Sequence, residues 1–283
     1  MSYIDLIKER ARIDKKTIVL PESTDKRTLL AAAKIMEEKI ADIIMIGNEE
    51  KIMDGASWLE VDLTDLTVIN PAQTPRLEEY VDLLYETRKA KGMTLEKARE
   101  ILLKDYLTFG TVMVKAGHAD GMVAGACHST ADTLRPALQI LKTAPGVKLV
   151  SAFFVMDTQV KDQGENGTFL FADCGLNQDP TAEELAAIAE SSARSFKSLI
   201  GPKPVIAMLS HSTKGSAKHE MVDKVVEATR IAHEQYPHLT LDGELQLDAA
   251  LGPGVAKSKA PGSCVGGRAN VLIFPNLDAG NIG

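Results

Sequence analysis

The stretch Asp120-Gly-Met-Val-Ala-Gly-Ala-Cys-His-Ser-Thr-Ala-Asp-Thr-Leu-Arg135 decides the fold, and we interpret it as a strand that turns into a helix. Residues 120–124 have the length and apolar character of a short buried strand, and an apolar stripe at helical spacing begins at Leu134. Because proline is tolerated only in the first turn of a helix, Pro136 predicts a helix that begins close by, with Thr133 as its N-cap.

The predicted helix start creates an electrostatic conflict at Arg135. A cation near the positive end of a helix dipole is unfavourable by roughly a few tenths of a kcal/mol. An anion bound by free backbone N–H groups, by the hydroxyls of Ser129 and Thr130 and by Arg135 would remove that conflict. We therefore predict a phosphate site at this turn.

A second strand-to-helix junction repeats the pattern at residues 209–219, Leu-Ser-His-Ser-Thr-Lys-Gly-Ser-Ala-Lys-His. Lys214 puts positive charge near a predicted helix start, and Ser212 and Thr213 supply hydroxyls beside it. The segment lacks the leading glycine spacing of a P-loop, so it does not indicate a nucleoside triphosphate. A solvated turn is the alternative for one such junction, whereas two in one chain favour anion binding.

Arg88 is a third candidate for binding an anion. It continues the buried stripe of its helix at i+4 from Leu84, and a cation on an inward face usually has a partner or faces a pocket. It also lies in the last turn before Gly92, where a cation favours the helix dipole and can extend to solvent. The residues alone leave both interpretations open.

Strand and helix patterns alternate along the chain, and this alternation predicts an α/β protein with mostly parallel sheets. Residues 148–156 and 168–172 are rich in β-branched and aromatic residues and predict an antiparallel pair. This change in composition and predicted strand pairing divides the chain into two predicted domains, 1–147 and 148–283.

Three further segments carry local predictions. The long helical stretch that Thr94 caps is expected to break at Gly110. Residues 252–268 are glycine-rich and predict a mobile loop. The apolar segment 270–274 predicts a strand buried on both faces, and because the chain stops at Gly283, where a covering helix should begin, we expect it to lack its natural end.

Composition limits the classes of function. The 283 residues carry a formal net charge of −7, which argues against partners such as nucleic acid or an acidic membrane. Three cysteines cannot all pair and match no metal-site spacing, which indicates a reducing, cytoplasmic setting. The N-terminus lacks the apolar core of a signal peptide, and no apolar run approaches the roughly eighteen residues of a membrane span.

Residues 242–248 alternate acidic or amide side chains with glycine and leucine. As a strand, this segment would place Asp242, Glu244 and Asp248 on one face, where they could hold a divalent cation, although a solvated polar face is the commoner explanation. His128 is a separate candidate, either as a catalytic base or as a structural residue.

Six segments are long or distinctive enough to compare with known families. They are TRKAKGMT at 87–94, GACHSTADTLRPA at 125–137, FADC at 171–174, STKGSAKH at 212–219, GELQLDA at 243–249 and ANVLIFP at 269–275 with its continuation to Gly283. Together, and in this order, they resemble the phosphate acetyl/butyryl transferase family.

The resemblance implies reversible transfer of acetyl between coenzyme A and inorganic phosphate, giving acetyl phosphate. It also implies two α/β/α domains with the active site in the cleft between them, and we expect a homodimer. The reaction needs no metal and no cofactor, because coenzyme A is itself a substrate. A base takes the thiol proton, the thiolate attacks the carbonyl of acetyl phosphate, and cations stabilise the oxyanion and the leaving phosphate.

The same resemblance implies roles for individual residues. The matched positions are Arg88 and Arg135 for catalysis, and Ser129, Thr130, Ser212, Thr213 and Lys214 for substrate binding. The family's catalytic serine–arginine pair and its aspartate base lie beyond Gly283. This chain therefore offers no residue that can be named as the base.

Three alternatives stay open. Butyryl can replace acetyl, because no residue here indicates the size of the acyl pocket. A metal-dependent dehydrogenase of the isocitrate type has a related two-domain layout and would use Asp242, Glu244 and Asp248 for a cation, although its nicotinamide-binding features are missing. A binding module or an inactive homologue is the third.

Overall fold

The computed structural model describes residues 3–201 and 203–283, and the chain forms two compact units, Met1–Lys142 and Thr143–Gly283. The division falls after Lys142, whereas the sequence predicts a boundary after residue 147. Each unit is built on its own mostly parallel sheet, which confirms the predicted α/β class.

The first unit alternates strands and helices. Its strands are β1 (Lys16–Leu20), β2 (Ala41–Ile46), β3 (Thr67–Ile69) and β4 (Gly121–Met122). Its helices are α1 (Tyr3–Ile13), α2 (Lys26–Glu38), α3 (Glu49–Trp58), α4 (Leu77–Arg88), α5 (Leu95–Lys104), α6 (Tyr106–Lys115) and α7 (Thr130–Pro136). A 3₁₀ turn (Lys89–Lys91) follows α4, and a π-helical turn (Ala137–Leu141) continues α7.

Helices cover both faces of the first sheet. Successive side chains of a strand point to opposite faces. Val19 packs with Tyr80 of α4 and Phe109 of α6, whereas the next residue, Leu20, packs with Leu29 of α2. The unit is therefore a three-layer α/β/α arrangement.

The order of the first sheet is β3-β2-β1-β4, with every pairing parallel. From β1 the chain crosses to β2 on one side, whereas β4 on the other side comes later in the chain. In open parallel sheets, ligands bind beyond the carboxyl ends of the strands where the order reverses in this way. The fold therefore directs attention to the loops that follow β1 and β4.

The second unit has the sheet order β5-β6-β9-β7-β8, in which β5 and β6 are antiparallel and the other pairs parallel. Its strands are β5 (Phe153–Asp157), β6 (Thr168–Ala172), β7 (Val205–Leu209), β8 (Thr240–Leu245) and β9 (Val271–Ile273). Its helices are α8 (Ala182–Leu199), α9 (Glu220–Gln235), α10 (Leu247–Leu251), α11 (Pro253–Lys259) and α12 (Leu277–Ile282). The antiparallel pair and the inner, fully buried strand β9 confirm two of the local predictions.

The predicted break at Gly110 is wrong. The helical stretch breaks at Asp105, whose backbone is extended and whose carboxylate accepts the N–H groups of Leu107 and Thr108 to cap α6. Gly110 lies buried inside α6, where an added Cβ would meet the Sδ atom of Met122 at 2.8 Å. Glycine therefore allows this helix to approach β4 closely, and it does not end the helix.

Other local predictions are also corrected. Part of the expected loop at 252–268 is helix α11, because Pro253 is favourable at the first position of a helix. A short helix, α12, follows β9 where the sequence analysis expects the chain to stop before one. Strand β8 ends at Leu245, so Asp248 lies on α10 and does not share a strand face with Asp242 and Glu244. Among the described helices, none combines the length and apolarity that crossing a bilayer requires.

Candidate active site

A cavity of about 510 Å³ lies in the first unit, at the carboxyl ends of β1 and β4. The loop after β1, the end of α4, the corner between α5 and α6, and helix α7 form its walls. The charged or ionisable side chains that line it are Glu22, Arg88, Lys104, Asp105, Tyr106, Cys127, His128, Asp132 and Arg135.

Glu22 follows β1 directly and is held by the loop that follows β4. Its carboxylate accepts hydrogen bonds from four consecutive backbone N–H groups, those of residues 125–128, over distances of 2.7–3.1 Å. The side chain is only 2% exposed. The neighbouring carboxyl ends of β1 and β4 bring these two distant segments together.

The electrostatics of Glu22 follow from these contacts. Burial by itself would raise its pKa, but the amide of Cys127, the ring of His128 and the amide of Ala126 lower the pKa to about 2. The sequence predicts that free N–H groups at this turn bind a phosphate. That prediction is corrected here, because the N–H groups of residues 125–128 already bind a carboxylate of the protein itself.

Cys127 and His128 also turn their side chains towards Glu22. Cys127 Sγ lies 3.4 Å from Glu22 Oε1, and His128 Nδ1 lies 2.7 Å from the same oxygen. Burial, and then the hydrogen bond to Glu22 and its charge, raise the pKa of the Cys127 thiol. The thiol therefore stays protonated at neutral pH. The contact with the Glu22 carboxylate fixes the orientation of the His128 ring.

Helix α7 begins four residues earlier than the sequence analysis predicts. Its N-cap is Ser129, whose hydroxyl accepts the N–H of Asp132 at 3.1 Å and donates to Asp132 Oδ2 at 2.7 Å. Pro136 is the last residue of the α-helix, and the chain continues from it into the π-helical turn. The predicted cap at Thr133 is wrong.

The predicted place of Arg135 at the positive end of a helix is therefore wrong as well. Arg135 lies in the last turn of α7, where a cation is favourable, and it forms an ion pair with Asp132 at 3.3 Å. Its side chain is 61% exposed. Arg135 nevertheless lines the same cavity as Arg88, so it stays a candidate for binding an anion.

Arg88 is the half-buried last residue of α4. Within residues 3–201 and 203–283, no acceptor pairs with its guanidinium group. The other charges nearby are engaged: Lys104 pairs with Glu100, and Asp105 caps α6. The residue thus faces a pocket, which was the first of its two interpretations.

Ser212, Thr213 and Lys214 lie in the second unit, before α9, which begins at Glu220. Ser212 is fully buried and donates to Glu244 at 2.8 Å, while Thr213 exchanges hydrogen bonds with Gln246. Lys214 Nζ pairs with Asp242 at 2.5 Å and donates to the carbonyl of Gly243 at 2.7 Å. These side chains fasten their loop to β8 and the residue after it.

The predicted cluster of metal-binding carboxylates in this unit does not form. Burial alone would raise the pKa of Asp242, but Lys214 and Ser263 lower it, so this carboxylate is already paired. Glu244 accepts from Ser212, and Asp248 pairs with Lys259 at 2.7 Å. This arrangement removes the observation on which the dehydrogenase alternative depends.

The cavity at the carboxyl ends of β1 and β4, with two arginines in its lining, is typical of an α/β protein that binds an anionic ligand. The particular family follows from comparison with known proteins. The chain belongs to the phosphate acetyl/butaryl transferase family, whose model matches residues 2–283.

Relatives with assigned functions agree with this family. A phosphate acetyltransferase from Acetivibrio thermocellus is 57% identical over 282 residues, covering 100% of this chain and 84% of that protein. A phosphotransacetylase structure from Streptococcus pyogenes has a TM-score of 0.90 at 45% identity and covers 99% of this chain and 83% of its own. The EutD phosphotransacetylase from Staphylococcus aureus has a TM-score of 0.89 at 43% identity, with 100% and 85% covered.

These relatives confirm the predicted family and its predicted function, acyl transfer between coenzyme A and phosphate. The roles predicted for individual residues stay predictions. Sequence reasoning found Arg88 and Arg135 and missed Glu22. The one available signal for Glu22 was its position directly after β1, at the edge of the sheet where ligands bind.

Proposed function

We propose that the cavity of the first unit binds the phosphate group while acetyl moves reversibly between coenzyme A and inorganic phosphate. The observation that carries this proposal is Arg88, a half-buried arginine that lines the cavity without a protein partner in the described part of the chain. A buried guanidinium is stabilised by an anion, and its planar set of donors fits a phosphate.

The charge balance of the cavity supports an anionic ligand. The carboxylates of Glu22 and Asp105 are bonded to backbone N–H groups, which offset their charge. The ion pair of Arg135 with Asp132 is exposed and 3.3 Å long, so it is weak, and a phosphate can replace Asp132 as the partner of Arg135. Arg88 and Arg135 are then the two cations that share the phosphate.

The reaction is a transfer between two nucleophiles. A phosphate oxygen attacks the thioester carbonyl of acetyl-CoA, the C–S bond breaks, and the thiolate takes up a proton as free coenzyme A. In the reverse direction a base removes the thiol proton, the thiolate attacks acetyl phosphate, and phosphate leaves. The arginines stabilise the negative charge that grows on the oxyanion and the phosphate.

Other contacts are proposed from the family. Thr130 is exposed at the first position of α7 and Ser129 is occupied as the N-cap, and neither is among the residues that line the cavity, so their proposed contacts rest on the family alone. Ser212 and Thr213 are buried and bonded, and Lys214 Nζ is bound to Asp242 and to the carbonyl of Gly243, so the part proposed for these three residues in substrate binding rests on the family alone. The transfer uses no resident cofactor, with coenzyme A as a substrate.

Two further proposals concern the protein as a whole. Free thiols at Cys127, Cys174 and Cys264 support a reducing, cytoplasmic setting. A homodimer is the proposed assembly, and sedimentation analysis over a range of concentrations tests it.

The activity is tested by following free thiol release from acetyl-CoA, with and without phosphate, in a chelator. The protein is used as its gene encodes it, and butyryl-CoA is run in parallel. We expect phosphate-dependent release with acetyl-CoA as the preferred donor. Preference for butyryl-CoA would establish the butyryl alternative, and no phosphate-dependent release from either donor would contradict the proposal.

A further inference from the structure

Three side chains with metal-ligating atoms converge on the wall of the first-unit cavity. Glu22 Oε1, Cys127 Sγ and His128 Nδ1 all lie within 4.8 Å of one another. The separations are 3.4 Å between sulfur and oxygen, 3.6 Å between sulfur and nitrogen, and 2.7 Å between nitrogen and oxygen. They come from loops that follow neighbouring strands, so the sheet itself sets their proximity.

We propose that this trio, Glu22, Cys127 and His128, is a zinc-binding site through which zinc inhibits the enzyme. A thiolate, an imidazole and a carboxylate form a donor set that suits zinc, and magnesium and calcium prefer oxygen ligands. Three protein ligands are also the number found where zinc keeps one position for water or another ligand.

The distances fit the metal. Tetrahedral zinc with its usual bond lengths of about 2.0–2.3 Å places neighbouring ligand atoms roughly 3.4–3.6 Å apart. Two of the three separations already have these values. The third, between His128 and Glu22, is shorter because a hydrogen lies between the atoms, and the His128 side chain, 42% exposed, has room to turn.

The site is also preorganised. The N–H groups of Gly125 and Ala126 donate to Glu22 Oε2 and act as the outer contacts that orient a metal ligand, whereas those of Cys127 and His128 donate to Oε1 and would share that oxygen with zinc. The hydrogens of Sγ and Nδ1 already point at Oε1, and zinc takes their place. On binding, the thiol proton passes to the buffer, and the single imidazole proton moves through solvent from Nδ1 to Nε2, which leaves the Nδ1 lone pair for zinc.

Zinc bound to this trio would lie beside the proposed phosphate site. Cys127 and His128 line the cavity in which Arg88 and Arg135 are proposed to hold phosphate. Zinc there would add a cation and a bound water beside the arginines and occupy part of the substrate's volume. The inhibition rests on the proposed function, whereas the binding of zinc does not.

Cobalt(II) titration tests the site directly, because a cobalt–thiolate bond gives a charge-transfer absorption in the near ultraviolet. We expect this band in the wild type, its loss when zinc is added, and its absence in Cys127→Ser. Cys264→Ser, which removes an exposed thiol of the second unit, is the matched control and should keep the band. No band in the wild type, or a band that persists in Cys127→Ser, would overturn the proposal.

His128→Asn supplies a second test that leaves the thiol in place. Zinc affinity measured by competition should fall by at least the roughly tenfold loss that removal of an outer contact causes. Circular dichroism confirms that both variants fold. Unchanged zinc affinity in folded His128→Asn would remove the imidazole from the site and contradict the trio.

The activity measurement separates the two proposals. The ratio of thiol release with and without zinc is determined within each variant, and a chelator should restore the wild-type rate. Zinc sensitivity that persists in Cys127→Ser would contradict inhibition through this site. If no variant shows phosphate-dependent release, the proposed function fails, and the cobalt band still decides whether zinc binds.

Discussion

Glu22→Gln is the most informative single substitution for the fold of the first unit, because one carboxylate joins the loops after β1 and β4. The pKa of Glu22 is about 2, against a usual 4.5. Each pH unit between these values corresponds to about 1.4 kcal/mol, so the ionised carboxylate stabilises the folded state by about 3 kcal/mol. Glutamine keeps the shape but replaces one accepting oxygen with a donor that faces backbone N–H groups.

The stabilisation has a defined dependence on pH. Because the pKa is lower in the folded state, the stabilisation is complete above about pH 4.5 and is lost as the pH falls towards about 2. Glu22→Gln should therefore lose about 3 kcal/mol of unfolding free energy at neutral pH and progressively less on acidification. Its stability should vary less with pH than that of the wild type between these limits.

Two measurements check this prediction. Urea unfolding gives the free energy, and amide hydrogen exchange of residues 125–128 reports on the N–H groups that donate to the carboxylate. Glu37→Gln, at an exposed position of α2, is the matched control. A loss within about 0.5 kcal/mol of that control, with unchanged exchange at residues 125–128, would refute the reasoning.

Three further predictions concern packing, an ion pair and a helix cap. Gly110→Ala should destabilise by about 1–2 kcal/mol in urea, because its Cβ would meet Met122 Sδ at 2.8 Å and Val19 Cγ1 at 3.1 Å, an overpacking that exceeds the roughly 0.5–1 kcal/mol by which alanine favours a helix; an unchanged midpoint would contradict this close packing. Lys214→Met should cost about 1–3 kcal/mol by removing the charge-assisted hydrogen bond to Asp242, which keeps only its neutral donors, Ser263 and the Gly243 N–H. That loss should shrink as the pH falls below about 4 and Asp242 is protonated, and an equal loss at all pH values would contradict it. Thr181→Ala should cost about 1 kcal/mol by removing the capping box of α8, whereas exposed Ser198→Ala should cost far less.

The sequence predicts most of the elements because their signals are local. Residues 41–46 and 205–209 are short apolar runs bounded by turns, and both form strands over those residues. Helix α7 shows where local signals fail. Ser129 and Thr133 are both good N-caps, and Pro136 favours the later one, but the earlier cap forms and Pro136 lies at the end of the α-helix, before the π-helical turn.

The candidate site depends on contacts between segments that are distant in the sequence, and local sequence patterns do not predict such contacts. Glu22 lies more than a hundred residues before the loop that holds it, and only the parallel pairing of β1 with β4 brings them together. Arg88 was accessible to sequence reasoning because its place on the buried stripe is a property of one helix. Lys214 was accessible as a charge, but its partner Asp242 depends on the path of β8.

A double-mutant cycle on Arg88 and Arg135, read from kcat/KM for phosphate in the thiol-release assay, tests the central claim most directly. Each alanine variant should lose roughly 10–100-fold, since a charge-assisted contact is worth about 1.5–3 kcal/mol. Because both cations are proposed to hold one phosphate, the double variant should lose less than the product of the single losses. Arg99→Ala, an exposed arginine paired with Glu78, is the control and should keep its activity. Unchanged kcat/KM in folded Arg88→Ala and Arg135→Ala, or losses that multiply without interaction, would contradict a shared phosphate site in this cavity.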